Sequence, residues 1–322
     1  MSSEVTATVP MPGKAYPTVG LGTFTIFEKT GLGDDVCNAV KVAISEGYRH
    51  IDCAFVYGNE KAVGDGIKAK IEDGTITRND IYITTKLWDT HHNPDHVEEA
   101  LKKSLRSLQT DYVDLYLVHW PFAFKDGDEL FPKDADGNVA FADHDYVDTW
   151  KAMEKLTAAG LTKAIGISNF NKAQIERLLS VATVKPANIQ VEIHPYFLNE
   201  KLINFCKQQG MTVTAYAPLA NPSRTWKSAD EPLIFDEQIL KDIAAKKGKS
   251  IAQVVLRFHL QRGIVVIPKS ITPARIKENI QLYDFDLSET EMQQIAGLNR
   301  DLRFYKEGIA TTHKYYAFHD EY

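Results

Sequence analysis

His50-Ile51-Asp52-Cys53-Ala54-Phe55-Val56-Tyr57-Gly58-Asn59-Glu60 reads as the junction between a strand and a helix. An apolar run ends on an acid, a tyrosine follows five residues later, and Gly-Asn-Glu is a start signal for a helix. Such turns are where α/β proteins display reactive side chains. Whether this one is reactive depends on what the neighbouring elements bring beside it.

Working outward, the same alternation recurs on both sides. Residues 5–17 alternate and break at Pro12-Gly13-Lys14, which predicts a short hairpin ahead of the main fold. Strands are expected at 19–22, 48–52, 80–87, 112–119, 163–168, 189–192, 211–216 and 264–268. Helices are expected at 35–45, 59–72, 94–108, 145–159, 174–179, 200–209, 237–246, 251–261 and 273–281, with Asn93 capping the third and Pro94 at its first position. Eight strand-helix alternations in 322 residues predict a (β/α)8 barrel, a TIM barrel, rather than a doubly wound sheet. Without a linker or low-complexity tract, residues 1–322 are expected to form one domain, and residues 299–322 a loop or cover.

Composition narrows the function. A net charge of −6 gives no general field to attract nucleic acid or an anionic membrane, so any anionic ligand needs a local cluster. No stretch approaches the ~20 apolar residues of a membrane span, and the first ten residues lack a secretory pattern. Cys37, Cys53 and Cys206 form no CxxC pair, which suits a reducing compartment rather than a disulfide framework. A cytoplasmic location is the expectation. His92 and His96 are four residues apart, but Pro94 separates them and argues against a metal pair.

In such barrels reactive groups stand at the carboxyl ends of the strands. Those positions hold Asp52 and Tyr57, Lys86, His119, Ser168 and Asn169, Gln190, Tyr216, and Lys269 with Ser270. Taken singly, each has an ordinary use: a turn cap, a packed tyrosine, a lysine reaching water, a core histidine. Their joint occurrence on adjacent strands points to chemistry. A buried Lys86 is tolerable only as an ion pair, with Asp52 worth about 4 kcal/mol at ~4 Å and an effective dielectric of ~20. If its ammonium also touches Tyr57, the tyrosine is expected to fall below its free pKa of about 10 and to become a better general acid. His119 would orient the oxygen being protonated.

At this set the chain resembles the aldo-keto reductase family over nearly its whole length. The resemblance rests on 52–57, on Thr85-Lys86-Leu87-Trp88, and on Val118-His119-Trp120-Pro121. It extends to Val63-Gly64-Asp65-Gly66, Gly166-Ile167-Ser168-Asn169-Phe170 and Ile267-Pro268-Lys269-Ser270, with Pro195-Tyr196 and residues 313–322 pointing to the aldose and aldehyde reductase branch. It implies that Tyr57, Lys86, Asp52 and His119 are catalytic, in an NADPH-dependent reduction of aldehydes and ketones.

The resemblance implies a nicotinamide cofactor without a Rossmann fold. Accordingly Gly64-Asp65-Gly66-Ile67-Lys68-Ala69 is a false dinucleotide fingerprint, because no strand precedes it. Ser168, Asn169 and Gln190 are implied for the carboxamide and Tyr216 for stacking on the nicotinamide. Gly22, Thr23, Phe24, Asp52, Ala217, Pro218 and Leu219 are implied as further cofactor contacts. Lys269, Ser270 and Arg275 would grip the 2′-phosphate, with Glu278 and Asn279 beside the adenine; two cations against a dianion favour NADPH over NADH. Thr25 and Ser223 stand where several members carry a lysine and aspartate that latch the cofactor, so faster NADP release is expected. Ala217 replaces a serine common in that branch.

Phe24, Phe55, Trp88, His119, Trp120, Phe122, Phe124, Trp226, Leu302 and Tyr305 are the implied substrate-pocket positions. Such a wall suits apolar, aromatic or steroid-like carbonyl compounds better than sugars. The partner expected is a small-molecule carbonyl substrate of a monomer. The alternative is a catalytically idle cofactor-binding or structural protein on the same fold, against which the filled catalytic positions argue. A hydrolase is disfavoured because no metal-ligand cluster or paired carboxylates appear at the strand ends.

Overall fold

The computed structural model describes residues 7–24, 32–228, 230–320 and 322. Residues 5 and 6 of the expected hairpin, and Thr25, lie outside these. Strands β1 (Thr8–Val9) and β2 (Tyr16–Pro17) pair antiparallel ahead of the barrel. The parallel strands follow as β3 (Leu21–Gly22), β4 (His50–Asp52), β5 (Tyr82–Leu87), β6 (Val113–Val118), β7 (Thr162–Ser168), β8 (Asn188–Glu192), β9 (Thr212–Tyr216) and β10 (Val265–Val266), each beside the next in one eight-stranded sheet. Parallel bridges Val19–Val266 and Gly22–Lys269 join the last strand to the first and close the TIM barrel. Closure brings backbones so near that a Cβ on Gly22 would lie 2.6 Å from the Ile267 carbonyl oxygen, which is why glycine stands there.

Helices surround the sheet: α1 (Leu32–Ser45), α2 (Glu60–Glu72), α3 (Val97–Leu108), α4 (Tyr146–Ala158), α5 (Lys172–Leu179), α6 (Glu200–Gln208), α7 (Gln238–Lys247), α8 (Ile251–Gln261), α9 (Pro273–Ile280) and α10 (Glu289–Ala296). The false fingerprint has a packing explanation. A Cβ on Gly64 would lie 2.7 Å from the Leu108 backbone at the end of α3, and one on Gly66 would lie 2.9 Å from the Cys37 carbonyl of α1. Those glycines let three helices pack closely.

Three expectations need correction. Helix α3 starts at Val97 rather than Pro94, because Asn93 closes a separate turn, accepting Asp95 N–H on its side chain and His96 N–H on its carbonyl. The outermost strands shorten to two residues each, since closure there runs through isolated bridges. Helix α10 was not expected; Ser288 and Glu291 form a capping box at its start.

Alternation along the strands decides what faces the barrel interior. Tyr82, Leu115, Leu117, Ala164 and Val265 form an inner cluster plugged from below by Tyr16 of the hairpin. Counting by twos from Tyr82 places Thr84 and Lys86 on the same inward face. The tail is pinned over the opposite mouth: Glu192 at the end of β8 accepts the Phe304 and Tyr305 N–H groups at 2.7 and 2.9 Å.

Candidate active site

The turn after β4 is built from both of its neighbours. Phe55–Tyr57 form a single 3-10 turn, and Asn59 does not cap α2 with its side chain. Its amide instead donates to the Thr23 carbonyl at 2.8 Å, while the Thr23 hydroxyl donates to the Asp52 carbonyl at 2.9 Å. Glu60 accepts from the Thr85 hydroxyl at 2.6 Å. The segment is thereby tied to the strand on each side.

Lys86 is completely buried beneath this turn. Its ammonium donates to Asp52 Oδ1 at 2.6 Å, to the Cys53 carbonyl at 2.8 Å and to the Tyr57 hydroxyl at 3.5 Å. Across the barrel, Gln190 of β8 donates to the other Asp52 oxygen at 2.7 Å. Burial pulls the Lys86 ammonium down, but Asp52 and Tyr57 outweigh it and the net direction is upward, so the lysine is charged.

The sequence-based expectation for Tyr57 reverses. Burial pushes its hydroxyl up to about 12, exceeding the downward pull of Lys86. The group is firmly protonated at neutral pH, held as a donor with a cation behind it. His119 stands on the other side, its ring centroid 6.0 Å from that of Tyr57. Burial, and then the Lys86 charge, keep its imidazole well below the usual range and therefore neutral. Among the described residues His119 Nδ1 has no hydrogen-bond partner. A neutral imidazole and a protonated phenol around one opening can both donate to a carbonyl oxygen.

A cleft of about 1250 Å³ opens above this pair. That exceeds the roughly 300–1,000 Å³ typical of a single drug-sized ligand and leaves room for a dinucleotide beside a substrate. Gly22, Thr23, Phe24, Asp52, Asn169, Gln190, Tyr216, Ala217, Pro218 and Leu219 line it, as do Lys269, Ser270, Arg275, Glu278 and Asn279. Tyr216 donates to Asn169 Oδ1 at 2.9 Å, and the Asn169 amide donates to Ser168 Oγ and the His119 carbonyl, both at 3.1 Å. A flat ring is thus locked to an amide that is locked to the His119 strand. Ser168 itself lies buried behind Asn169. The fit to a nicotinamide dinucleotide is good at the other end too: Lys269 and Arg275 are exposed on the cleft wall, and α9 begins between them with no side-chain cap on its first turn. Ser223, of the position paired with Thr25, is exposed on this wall and donates to Asn221 at 3.2 Å.

Of the expected substrate wall, Phe24, Trp88, His119, Trp120, Trp226, Leu302 and Tyr305 line the cleft. Phe55, Phe122 and Phe124 do not. Phe122 and Phe124 are fully buried in an aromatic stack behind Trp120, and Phe55 packs its ring on His91 at 5.3 Å. They support the wall from behind. Lining residues that the sequence did not single out include Phe131, Asn221, Arg303, Phe304 and Glu307. Phe131 comes from the long polar loop after β6, where nothing in the local sequence marks a pocket residue. The others come from aperiodic segments.

Comparison with known proteins identifies the family and the fold. Residues 18–300 match the model of the aldo/keto reductase family. The chain is 49% identical over 320 residues to aldo-keto reductase family 1 member A1 of Xenopus tropicalis, covering 96% of each chain. It is 45% identical over 320 residues to the Homo sapiens protein of the same description, covering 96% of this chain and 97% of that one. The solved structure of the aldose reductase from Schistosoma japonicum superposes with a TM-score of 0.90 at 41% identity, covering 98% of this chain and all of the other.

Proposed function

Because the chain belongs to the aldo-keto reductase family, and is thereby an NADP-dependent oxidoreductase, we propose that it reduces aldehydes and ketones to alcohols with Tyr57 as the proton donor. The observation that carries this reading is the contact of a charged, fully buried Lys86 with both Asp52 and Tyr57 at the floor of the cleft. NADPH, when bound, supplies the hydride that goes to the carbonyl carbon.

The protein's part is positioning and proton transfer. His119 Nε2 and the Tyr57 hydroxyl hold the carbonyl oxygen between them. As negative charge develops on that oxygen, Tyr57 gives up its proton, and the Lys86 ammonium stabilises the phenolate left behind. Asp52 keeps Lys86 charged and in place, so it is a positioning residue. Asn169, Gln190 and Tyr216 would hold the nicotinamide, and Lys269, Ser270 and Arg275 a 2′-phosphate, which favours NADPH over NADH. The aromatic wall supports apolar or aromatic carbonyl substrates over sugars. Action as a monomer in the cytoplasm completes the proposal; no helix among the described residues is long and apolar enough to cross a membrane.

The deciding experiment is Tyr57→Phe. Turnover of a reactive aldehyde should fall by about two to four orders of magnitude, the usual contribution of a positioned acid, while NADPH binding by fluorescence is retained. Normal turnover would remove Tyr57 from the role of acid; NADPH binding with no turnover in the parent protein would mark an idle binder.

A further inference from the structure

Glu307 occupies an unusual position in the tail. Its backbone has a φ of 43°, a conformation side chains other than glycine seldom adopt, and its carbonyl accepts the Ala310 N–H at 3.0 Å to close the turn. It lines the same cleft as Tyr57 and His119, together with Trp88, Trp120 and Phe131. Among the described residues its carboxylate has no hydrogen-bond or ion-pair partner, and burial alone acts on it, pushing it up to about 7. Neighbouring cations do not neutralise it. The Arg303 guanidinium is stacked 4.4 Å from Phe197 and 3.7 Å from Phe318, and Lys306 is exposed. Behind it lies Asp89, fully buried, which feels the charge of Glu307.

A half-buried acid without a counter-ion, in the wall of a cleft that also carries Trp88, Trp120 and Phe131, is matched by one kind of ligand group. A positively charged amine would restore the ion pair and meet the electron-rich ring faces. A carboxylate on the substrate would meet a like charge in a partly desolvated wall. We propose that Glu307 selects carbonyl compounds carrying an ammonium group and rejects those carrying a carboxylate. This rests on the reductase reading and names the substrate class of that same cleft.

The test compares 4-(trimethylammonio)benzaldehyde, 4-tert-butylbenzaldehyde and 4-carboxybenzaldehyde with NADPH at pH 8, in the parent protein, Glu307→Gln and Glu307→Lys. Taking ratios between parent and variant cancels the electronic effect of the substituents. The cation-to-carboxylate ratio of kcat/KM should shrink by roughly tenfold from the parent to Glu307→Gln, as expected for losing one partly desolvated charge contact, and by at least a further tenfold in Glu307→Lys. Unchanged ratios in both variants, with the tert-butyl compound still reduced, would overturn the role of Glu307 and leave the reductase standing. If no aldehyde is reduced, the reductase reading fails, and tryptophan fluorescence of the NADP-loaded protein titrated with benzyltrimethylammonium and with benzoate still decides the inference. Tighter binding of the cation that is lost in Glu307→Gln sustains it, and equal binding overturns it.

Discussion

Tyr57 shows how one residue's chemistry depends on the balance of two opposed effects. Proximity to a cation pulls a phenol down, but full burial pushes it further up, because the phenolate loses more hydration than Lys86 at 3.5 Å returns. In the proposed reduction the donor is thereby kept loaded, and the lysine would act when charge moves onto the phenol. At the far side of the cleft, Lys269 and Arg275 carry the coenzyme proposal. Replacing both by alanine should raise the KM for NADPH at least about tenfold, each charged hydrogen bond being worth roughly 1.5–3 kcal/mol, and leave the KM for NADH nearly unmoved. Equal shifts for the two coenzymes would detach these residues from the 2′-phosphate. The types and order of these side chains were legible in the sequence. The direction of the Tyr57 shift was not, because burial is a property of everything packed around the ring.

Among elements, legibility followed periodicity. Strands β5 and β6 and helix α8 stand nearly where their patterns put them. Helix α10 escaped, although Ser288-Glu289-Thr290-Glu291 carries a capping-box signal, because its eight residues offer little apolar period. It is attached both by Ile295, buried in one cluster with Leu240, Ile243 and Ala244 of α7, and by Glu291, which pairs with Lys246 and Lys247 of α7 at 2.8 and 2.9 Å. Replacing Ser288 by alanine should therefore lower stability by about 1 kcal/mol through loss of the cap, read as a lower urea midpoint, with kcat/KM unchanged because α10 does not reach the cleft. An unchanged midpoint would show that pairing to α7 holds the helix without its cap. The opposite error, starting α3 at Pro94, came from reading a proline in a turn as a first helical residue.

At the scale of the molecule, the barrel tolerates a buried acid at Asp89. Neither of its carboxylate oxygens has a hydrogen-bond partner among the described residues, and His92 Nε2 lies 3.8 Å away. Burial, reinforced by Glu307, drives the Asp89 carboxyl well up, while burial drives His92 down to about 3, so the pair is neutral on both sides. The folded state keeps a proton that the unfolded chain releases above a pH of about 4. The associated stability is fully present below that pH and is lost as pH rises toward the folded-state value, with a slope of at most about 1.4 kcal/mol per pH unit. Asp89→Asn removes the titration. From pH 5 to pH 8 its urea midpoint should therefore gain on that of the parent protein, and parallel profiles would show that Asp89 is ionised in the fold.

Local period and residue type were enough for the order of the elements other than α10, for the barrel class, and for the identities of the groups at the strand ends. Which of those groups touch is settled by the packing of the folded chain. Asp52 meets Gln190 from four strands further on, the tail places Glu307 in the cleft, and Phe122 and Phe124 fall behind the wall. Each outcome depends on barrel closure, on the inward or outward phase of a strand, or on an aperiodic segment pinned by Glu192. Those are contacts between residues far apart in the chain, and local period carries no record of them.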